Sequence, residues 1–290
     1  MNPKDSLTVT ATRHFRSPPE RVFDAFLDPA QAKRFLFATE TGRMTRVEID
    51  PRVGGYWIIV ENRSGEDVEH HGEYTAIERP TRLAFTARVP QYSDETDTVS
   101  ITITAKDQGC VLLLTQVMSA KFKDKTEGMF EGWADILLGL AKVLDEKLLN
   151  LEQSIEINAP ASKVWEVLTD SQRNREWISL WWPGTKMESD WKGPGSPVNW
   201  IMEDGNVGSK GYIYGITPQQ HLKFSFQVQG LDFQKLELLT FTLQEKEGKT
   251  SLTVNMGDFS DSPEHEQCMV GAQEGWTLSL PKIKELAEQK

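Results

Sequence analysis

The sequence predicts an α+β protein made of two tandem copies of one domain, each an antiparallel sheet of about seven strands wrapped round a long C-terminal helix. Three observations carry this: blocks that recur at a nearly constant spacing, alternating strand patterns between turn residues, and one long apolar helical stripe closing each copy. With 290 residues, the length itself allows about two domains at roughly 100–200 residues each.

The recurrence is collinear. Ser17–Phe35 matches Asn158–Trp177, with Val22, Phe26, Asp28 and Phe35 facing Val164, Leu168, Asp170 and Trp177 at an offset of 142. Gly72–Phe85 matches Gly211–Phe224 at an offset of 139, and Gly128–Trp133 matches Gly271–Trp276 at an offset of 143. Both last blocks end in Glu-Gly-Trp. The domains are therefore expected at residues 1–149 and 150–290.

In each copy a polar/apolar alternation opens the domain, over Leu7–Phe15 and Leu151–Ile157. A proline and a short amphipathic run follow, as at the first turn of a helix. Strands are then expected at Arg43–Asp50, Tyr56–Asn62, Val68–Ile77, Arg82–Arg88, Val99–Ala105 and Val111–Met118, parted by turns such as Gly54-Gly55 and Pro80. The second copy repeats them near Lys186 and at Val198–Met202, Gly211–Ile216, Leu222–Val228, Leu236–Leu243 and Ser251–Met256. In the first closing helix, Met129, Trp133, Ile136, Leu137, Leu140, Val143 and Leu144 form one stripe, and the helix is expected to reach Asn150. In the second, Ser262-Pro263 reads as N-cap and first turn, and Met269, Ala272, Trp276, Leu280 and Ile283 continue the stripe. Pro281 removes a backbone donor there, so a kink is expected.

Composition excludes several function classes. With 38% hydrophobic and 26% charged residues the chain is ordinary globular material, and no apolar run reaches the ~18 residues of a membrane span. A net charge of −11 without a basic stripe argues against nucleic acid. The N-terminal segment lacks a basic stretch followed by an apolar run, so no secretory leader is expected. Cys110 and Cys268 stand apart with no metal-ligand spacing, which predicts a reducing cytoplasm, no zinc and no disulfide. Cys110 is expected as a small buried apolar residue. No phosphate loop, nucleophile elbow or zinc-protease motif is present, and neither a cofactor nor a catalytic residue is assigned.

The motifs "VFDAFLDP", "PRVGGYW", "HGEYTAIERPTRLAFT" and the terminal "EGW" resemble a known family: the heat-shock-protein-90 ATPase activator-like branch of the SRPBCC superfamily, START-like and birch-pollen-allergen-like proteins of helix-grip fold. The first copy matches along its length. The second diverges, with Gly195-Ser196-Pro197 in place of Gly-Gly-Tyr and Trp200 downstream. The resemblance implies an apolar cavity between sheet and helix. It also implies that members bind small hydrophobic molecules, assist a chaperone or have no known role; a cyclase- or aromatase-like enzyme is a rival reading from another class. The co-chaperone's separate N-terminal domain has no counterpart in this sequence, whose N-terminal part is itself a helix-grip copy.

Cavity-lining candidates are Trp57, His70, Tyr74, Phe85, Met129 and Trp133 in the first copy and Trp177, Trp181, Trp200, Tyr212 and Trp276 in the second. His70 and His71 alternate across a strand, so they cannot chelate one metal. An enzyme reading would rest on His70 or His71 with Glu73 and Tyr74. Tyr74 and His70 share one parity and Tyr212 the other, which leaves the inward face open. Seven of the nine tryptophans lie after residue 150, and adjacent Trp181 and Trp182 predict that one is exposed or in an interface. An empty apolar void costs ~24 cal/mol per Å³, so one of roughly 300 Å³ would cost about 7 kcal/mol, comparable to a domain's whole stability. The expectation is a small hydrophobic ligand in the first copy and a smaller, aromatic-lined or collapsed cavity in the second. A chaperone partner is the second reading, and the chain is expected as a monomer or homodimer.

Overall fold

The computed structural model describes residues 6–39, 42–230 and 237–289. The chain divides into two units, Met1–Leu148 and Leu149–Lys290.

In the first unit β1 (Ser6–Phe15) leads into α1 (Pro19–Leu27) and α2 (Pro29–Ala32). Six strands follow: β2 (Arg43–Ile49), β3 (Tyr56–Arg63), β4 (Glu66–Glu78), β5 (Arg82–Ala87), β6 (Asp97–Lys106) and β7 (Gly109–Ser119). A 3-10 turn at Ala120–Lys125 then opens onto α3 (Thr126–Val143). The second unit repeats the plan as β8 (Leu151–Ile157), α4 (Ala161–Thr169), α5 (Ser171–Ile178), β9 (Lys186–Glu188), β10 (Pro197–Ile201), β11 (Val207–Thr217), β12 (His221–Val228), β13 (Glu237–Lys246), β14 (Lys249–Gly257) and α6 (Pro263–Glu288). Leu236, expected to open β13, lies outside the described residues. The sheets run β1-β7-β6-β5-β4-β3-β2 and β8-β14-β13-β12-β11-β10-β9, with the pairs antiparallel. Each is a helix-grip domain.

The repeated residues turn out to be structural fixtures. Asp28 accepts from Ala30 N at 2.8 Å and Asp170 from the amides of Gln172 and Arg173 at 3.0 Å, so each caps the second short helix of its copy. Gly72 and Gly211 sit where the sheet curls. A Cβ there would lie 1.8 Å from the Thr86 carbonyl oxygen or 1.7 Å from that of Ser225, a spacing only glycine tolerates. One residue on, a neighbouring hydroxyl takes up the amide: Glu73 N donates to Thr86 Oγ1 (3.0 Å) and Tyr212 N to Ser225 Oγ (2.8 Å). A bulge then shifts the register between Tyr74 and Ala76, and likewise between Ile213 and Gly215.

The Gly-Gly turn docks on this same strand. Gly54 N donates to Tyr74 O, and Tyr74 N to Gly55 O, at 2.8 and 3.0 Å. Gly195 and Ser196 do the same for Ile213 at 2.8 and 2.9 Å. Loss of the Gly-Gly-Tyr motif in the second copy therefore keeps its backbone contacts, since these need only amides and carbonyls.

One helix expectation is corrected. The first long helix ends at Val143, not Asn150: Asp145 takes a left-handed φ of 56°, and the Glu146 carboxylate turns back to accept from the amides of Arg16 and Ser17. In α6 the helix runs through Pro281 to Glu288 without a break. Its flanks explain this, because Leu280 and Ile283 are buried and Ser279 Oγ donates to Trp177 O at 3.0 Å. Tertiary packing holds the helix across the missing bond. The cap itself is as expected, with Ser262 accepting from His265 N at 3.1 Å.

Candidate functional site

In the first domain the inward face of β4 carries Val68, His70, Gly72 and Tyr74, all buried, while Glu73 is exposed and His71 half-buried on the other side. His71 Nδ1 meets Glu69 Oε1 at 2.7 Å. The cluster that would support an enzyme is therefore split: His70 and Tyr74 face α3, His71 and Glu73 face outward. On β3, Trp57 lies opposite Gly72 and Ile59 opposite His70, so Trp57 and His70 are diagonal neighbours on one wall. Phe85 links Trp57 (5.4 Å between ring centroids) to Tyr74 (6.2 Å). Trp133 stands on the facing side of α3, 4% exposed, and Met129 packs half-buried beside this core.

Phe37, which the sequence reading did not single out, joins these residues. Its ring stacks on His70 at 4.2 Å and 13°, on Trp57 at 5.7 Å and 12°, and touches Trp133 at 5.7 Å. Its backbone holds a left-handed φ of 58°, unusual for a bulky residue. The segment is latched from outside: Arg63 Nη2 donates to Phe37 O at 3.1 Å, and the buried Glu61 accepts from Thr39 N at 2.7 Å. The available signal was positional, since Phe37 lies just after the second short helix, as Trp181 and Trp182 do.

Two polar atoms on this wall, Trp57 Nε1 and His70 Nδ1, are buried and have no hydrogen-bond partner among the described residues. Burial, with help from the nearby Arg63 and His71 charges, lowers His70 to about 3, so its imidazole is neutral. Burial likewise pushes the Tyr74 phenol well above its ordinary range. Trp133 is satisfied instead. Its Nε1 donates to Gln116 Oε1, and Gln116 Nε2 to Asp97 Oδ2, each at 2.6 Å.

In the second domain Trp177, Trp200 and Trp276 are buried and in ring contact, with Trp177 6.2 Å from Trp200 and 5.6 Å from Trp276. Trp181 and Trp182 are both half-buried, so neither is fully exposed. They lie in a helical turn, with both amides donating to Ile178 O, and straddle Trp200 at 5.9 and 5.7 Å. Phe224, Phe226 and Phe241 extend the same network. Tyr212 stands apart from these candidates: Ile213 is the buried residue at that point, and Tyr212 projects from the opposite face. The Nε1 atoms of Trp181, Trp200 and Trp276 and Ser209 Oγ, which aligns with His70, are buried without partners among the described residues.

A second cluster escaped the sequence reading. His265, fully buried, bonds Asp261 Oδ1 through Nδ1 and Glu237 Oε1 through Nε2, each at 2.7 Å. Burial alone would lower it, but the hydrogen bonds and charges of Asp261 and Glu237 prevail and raise it to about 9. Glu237 opens β13 opposite Phe226 as Asp97 opens β6 opposite Ala87, and Met256 faces Leu239 where Gln116 faces Val99. The acid is thus retained between copies while its partner changes from Gln116 to His265. Nδ1 and Nε2 point away from each other on the ring, so the acids do not converge on one metal position.

Cys110 is buried, its thiol pushed up to about 11 mainly by that burial, and it donates to Ser17 O at 3.6 Å, which makes it a packing residue. An open polar groove of about 440 Å³, lined by residues including Asp170, Glu188, Asp190 and Asn199, lies in the second domain. It carries none of the aromatic candidates.

The chain was compared with known proteins. A protein of Chromobacterium violaceum of known structure is 26% identical over 48% of this chain and 98% of its own, at a TM-score of 0.45. An AHSA1-like protein of Aeromonas hydrophila is 21% identical over 48% of this chain and 92% of its own, at a TM-score of 0.42. DynU16, from the dynemicin biosynthetic locus, is 16% identical over 97% and 99%, at a TM-score of 0.39. No curated protein matches. The family described as "Activator of Hsp90 ATPase homolog 1-like protein" matches twice, over residues 16–145 and 158–288. Those two stretches cover most of the chain, and the protein belongs to that family as a tandem duplication.

Proposed function

We propose that this protein binds a small hydrophobic molecule, held in the first domain between the sheet and α3, and that it carries out no reaction of its own. The supporting observation is the pair of unpartnered buried atoms, Trp57 Nε1 and His70 Nδ1, on a wall otherwise made of Phe37, Phe85, Tyr74 and Trp133. A buried donor left unpaired costs about 1–3 kcal/mol, and a guest carrying a polar atom removes that cost. The resemblance agrees, since it implies an apolar cavity between sheet and helix. His70 and Glu73 lie on opposite faces, which weighs against a cyclase-like reaction at this site.

No helix among the described residues is long and apolar enough to cross a membrane. Free Cys110 and Cys268 suit a reducing compartment, and we place the protein in the cytoplasm on that ground. Native mass spectrometry of the purified chain, with extraction of what it carries, tests the reading. A bound apolar molecule released on unfolding is expected. An empty protein that also fails to brighten 1-anilinonaphthalene-8-sulfonate overturns it.

A further inference from the structure

The second domain shows what shape fits this scaffold. Gly275 is buried, and a Cβ on it would lie 2.1 Å from Trp181 Cε2 and 2.2 Å from Trp181 Nε1. The fused centre of the indole therefore lies over the glycine of Glu-Gly-Trp, edge-on to Trp276 at 4.9 Å and 76°. The equivalent Gly132 is exposed and has nothing within 4 Å of a Cβ position. Among the rings of the described residues, its neighbour Trp133 meets the smaller ring of Phe37. The place that Trp181 fills in one domain is taken in the other by the single ring of Phe37 on the wall side, with the space over Gly132 left open.

Resting on the reading above, we propose that the first domain takes a planar, uncharged, two-ring aromatic molecule bearing a hydroxyl or carbonyl oxygen, seated over Gly132 against Trp133. Trp181 is the internal likeness of this guest. The oxygen requirement comes from the far wall. Trp57 Nε1 can only donate, so it needs an acceptor, and neutral His70 Nδ1 can accept from a hydroxyl or donate to a carbonyl, according to its tautomer. A charged guest would lose its hydration against a wall of aromatic rings. Phe37 occupies the wall side of this place. Its ring lies parallel to both His70 and Trp57, as a flat guest would, while its carbonyl is anchored separately by Arg63. Rotation about its own side-chain bonds clears the slot without releasing the latch.

The test uses the full chain with 2-naphthol and naphthalene as probes, followed by calorimetry and by the ring ¹⁵N resonances of His70. 2-Naphthol is expected to bind about tenfold more tightly than naphthalene, one guest per chain, and to shift the His70 signals. Trp57→Phe combined with His70→Phe keeps two rings on the wall and should erase that preference. Phe37→Ala should tighten both probes severalfold. Gly132→Leu places a side chain in the open slot and should abolish both, and an unchanged or raised melting temperature separates this loss from misfolding. Undiminished 2-naphthol binding by Gly132→Leu, or equal affinity for the two probes in the unaltered chain, overturns the proposal. Dye binding that persists alongside either result leaves the broader hydrophobic-binding reading standing. Failure of the dye and both probes overturns the two together.

Discussion

Gly132 and Gly275 occupy the same place in the same motif, yet one is open to solvent and the other lies beneath an indole. The difference comes from a different part of the chain. The segment after the second short helix supplies Phe37 in one copy and Trp181 with Trp182 in the other. A duplicated scaffold can thus keep its fold while one copy fills its own interior. The polar residues diverge in step. The first copy satisfies Trp133 through Gln116 and Asp97, whereas the second replaces Gln116 with Met256, leaves Trp276 unpaired and gives the retained acid to His265.

The largest break in the comparison should come at His265. Replacing it with Leu leaves the buried Glu237 carboxylate and the half-buried Asp261 without the cation between them. We expect a loss of about 3–5 kcal/mol, read as loss of hydrogen-exchange protection in peptides of the second domain. Its pH signature has the opposite sign to that of His70. His265 is raised to about 9, so its contribution is complete below the ordinary value near 6.5 and disappears as pH rises from there through 9. His70 is lowered to about 3, so below 6.5 the unfolded chain takes up a proton that the folded domain refuses. The first domain therefore loses stability as pH falls from 6.5 toward 3. Exchange measured peptide by peptide across pH should show alkaline loosening in one domain and acid loosening in the other. His265→Leu and His70→Phe should each flatten their own limb and leave the other intact. A shared profile for both domains would contradict the assignment.

Next in size is the glycine pair itself. Gly275→Leu must evict Trp181 from its contacts with Trp276 and Trp200, and overpacking of this kind costs about 1–3 kcal/mol. Gly132→Leu meets nothing and exchanges a poor helix former for a good one, a gain of up to about 1 kcal/mol. Urea unfolding of both variants should move the midpoints in opposite directions. Movement in the same direction would mean that Trp181 does not hold the place ascribed to it.

Much of the fold was legible because it rests on local rules. Alternation marked most strands within one or two residues, although β11 starts four residues before the expected Gly211 and β13 runs three past Leu243, and Ser262 sat where a cap belongs. Helix ends were harder: nothing before Asp145 forecasts its left-handed turn, which depends on Glu146 reaching Arg16 and Ser17 across the fold. The site was legible only in part. Trp57, His70, Tyr74 and Phe85 do share one wall, but Tyr212 was placed by residue type, and counting from the bulge would have selected Ile213 instead. Phe37 and the Asp261–His265–Glu237 set were missed for one reason. The Phe37 contacts and the His265–Glu237 bond are made between separate segments, and an isolated Phe or His carries no period that announces it.

The smallest effect separates the two helix tryptophans. Trp133→Phe and Trp276→Phe remove the same atoms from equivalent buried positions, so the loss of apolar contact largely cancels between them. What remains is the indole N–H. In the first domain its removal strands the Gln116 acceptor, which is itself buried and bonded onward to Asp97. In the second it removes a donor that has no acceptor among the described residues. Trp133→Phe should therefore cost about 1 kcal/mol more than Trp276→Phe, toward the low end for a buried group losing its partner. Converting Met256 to Gln would rebuild the missing acceptor beneath Trp276. If the hydrogen bond is the cause, Trp276→Phe in that background should become the costlier change by a similar amount. If the cost of Trp276→Phe is unchanged by Met256→Gln, the difference between the two domains lies in packing and not in the N–H.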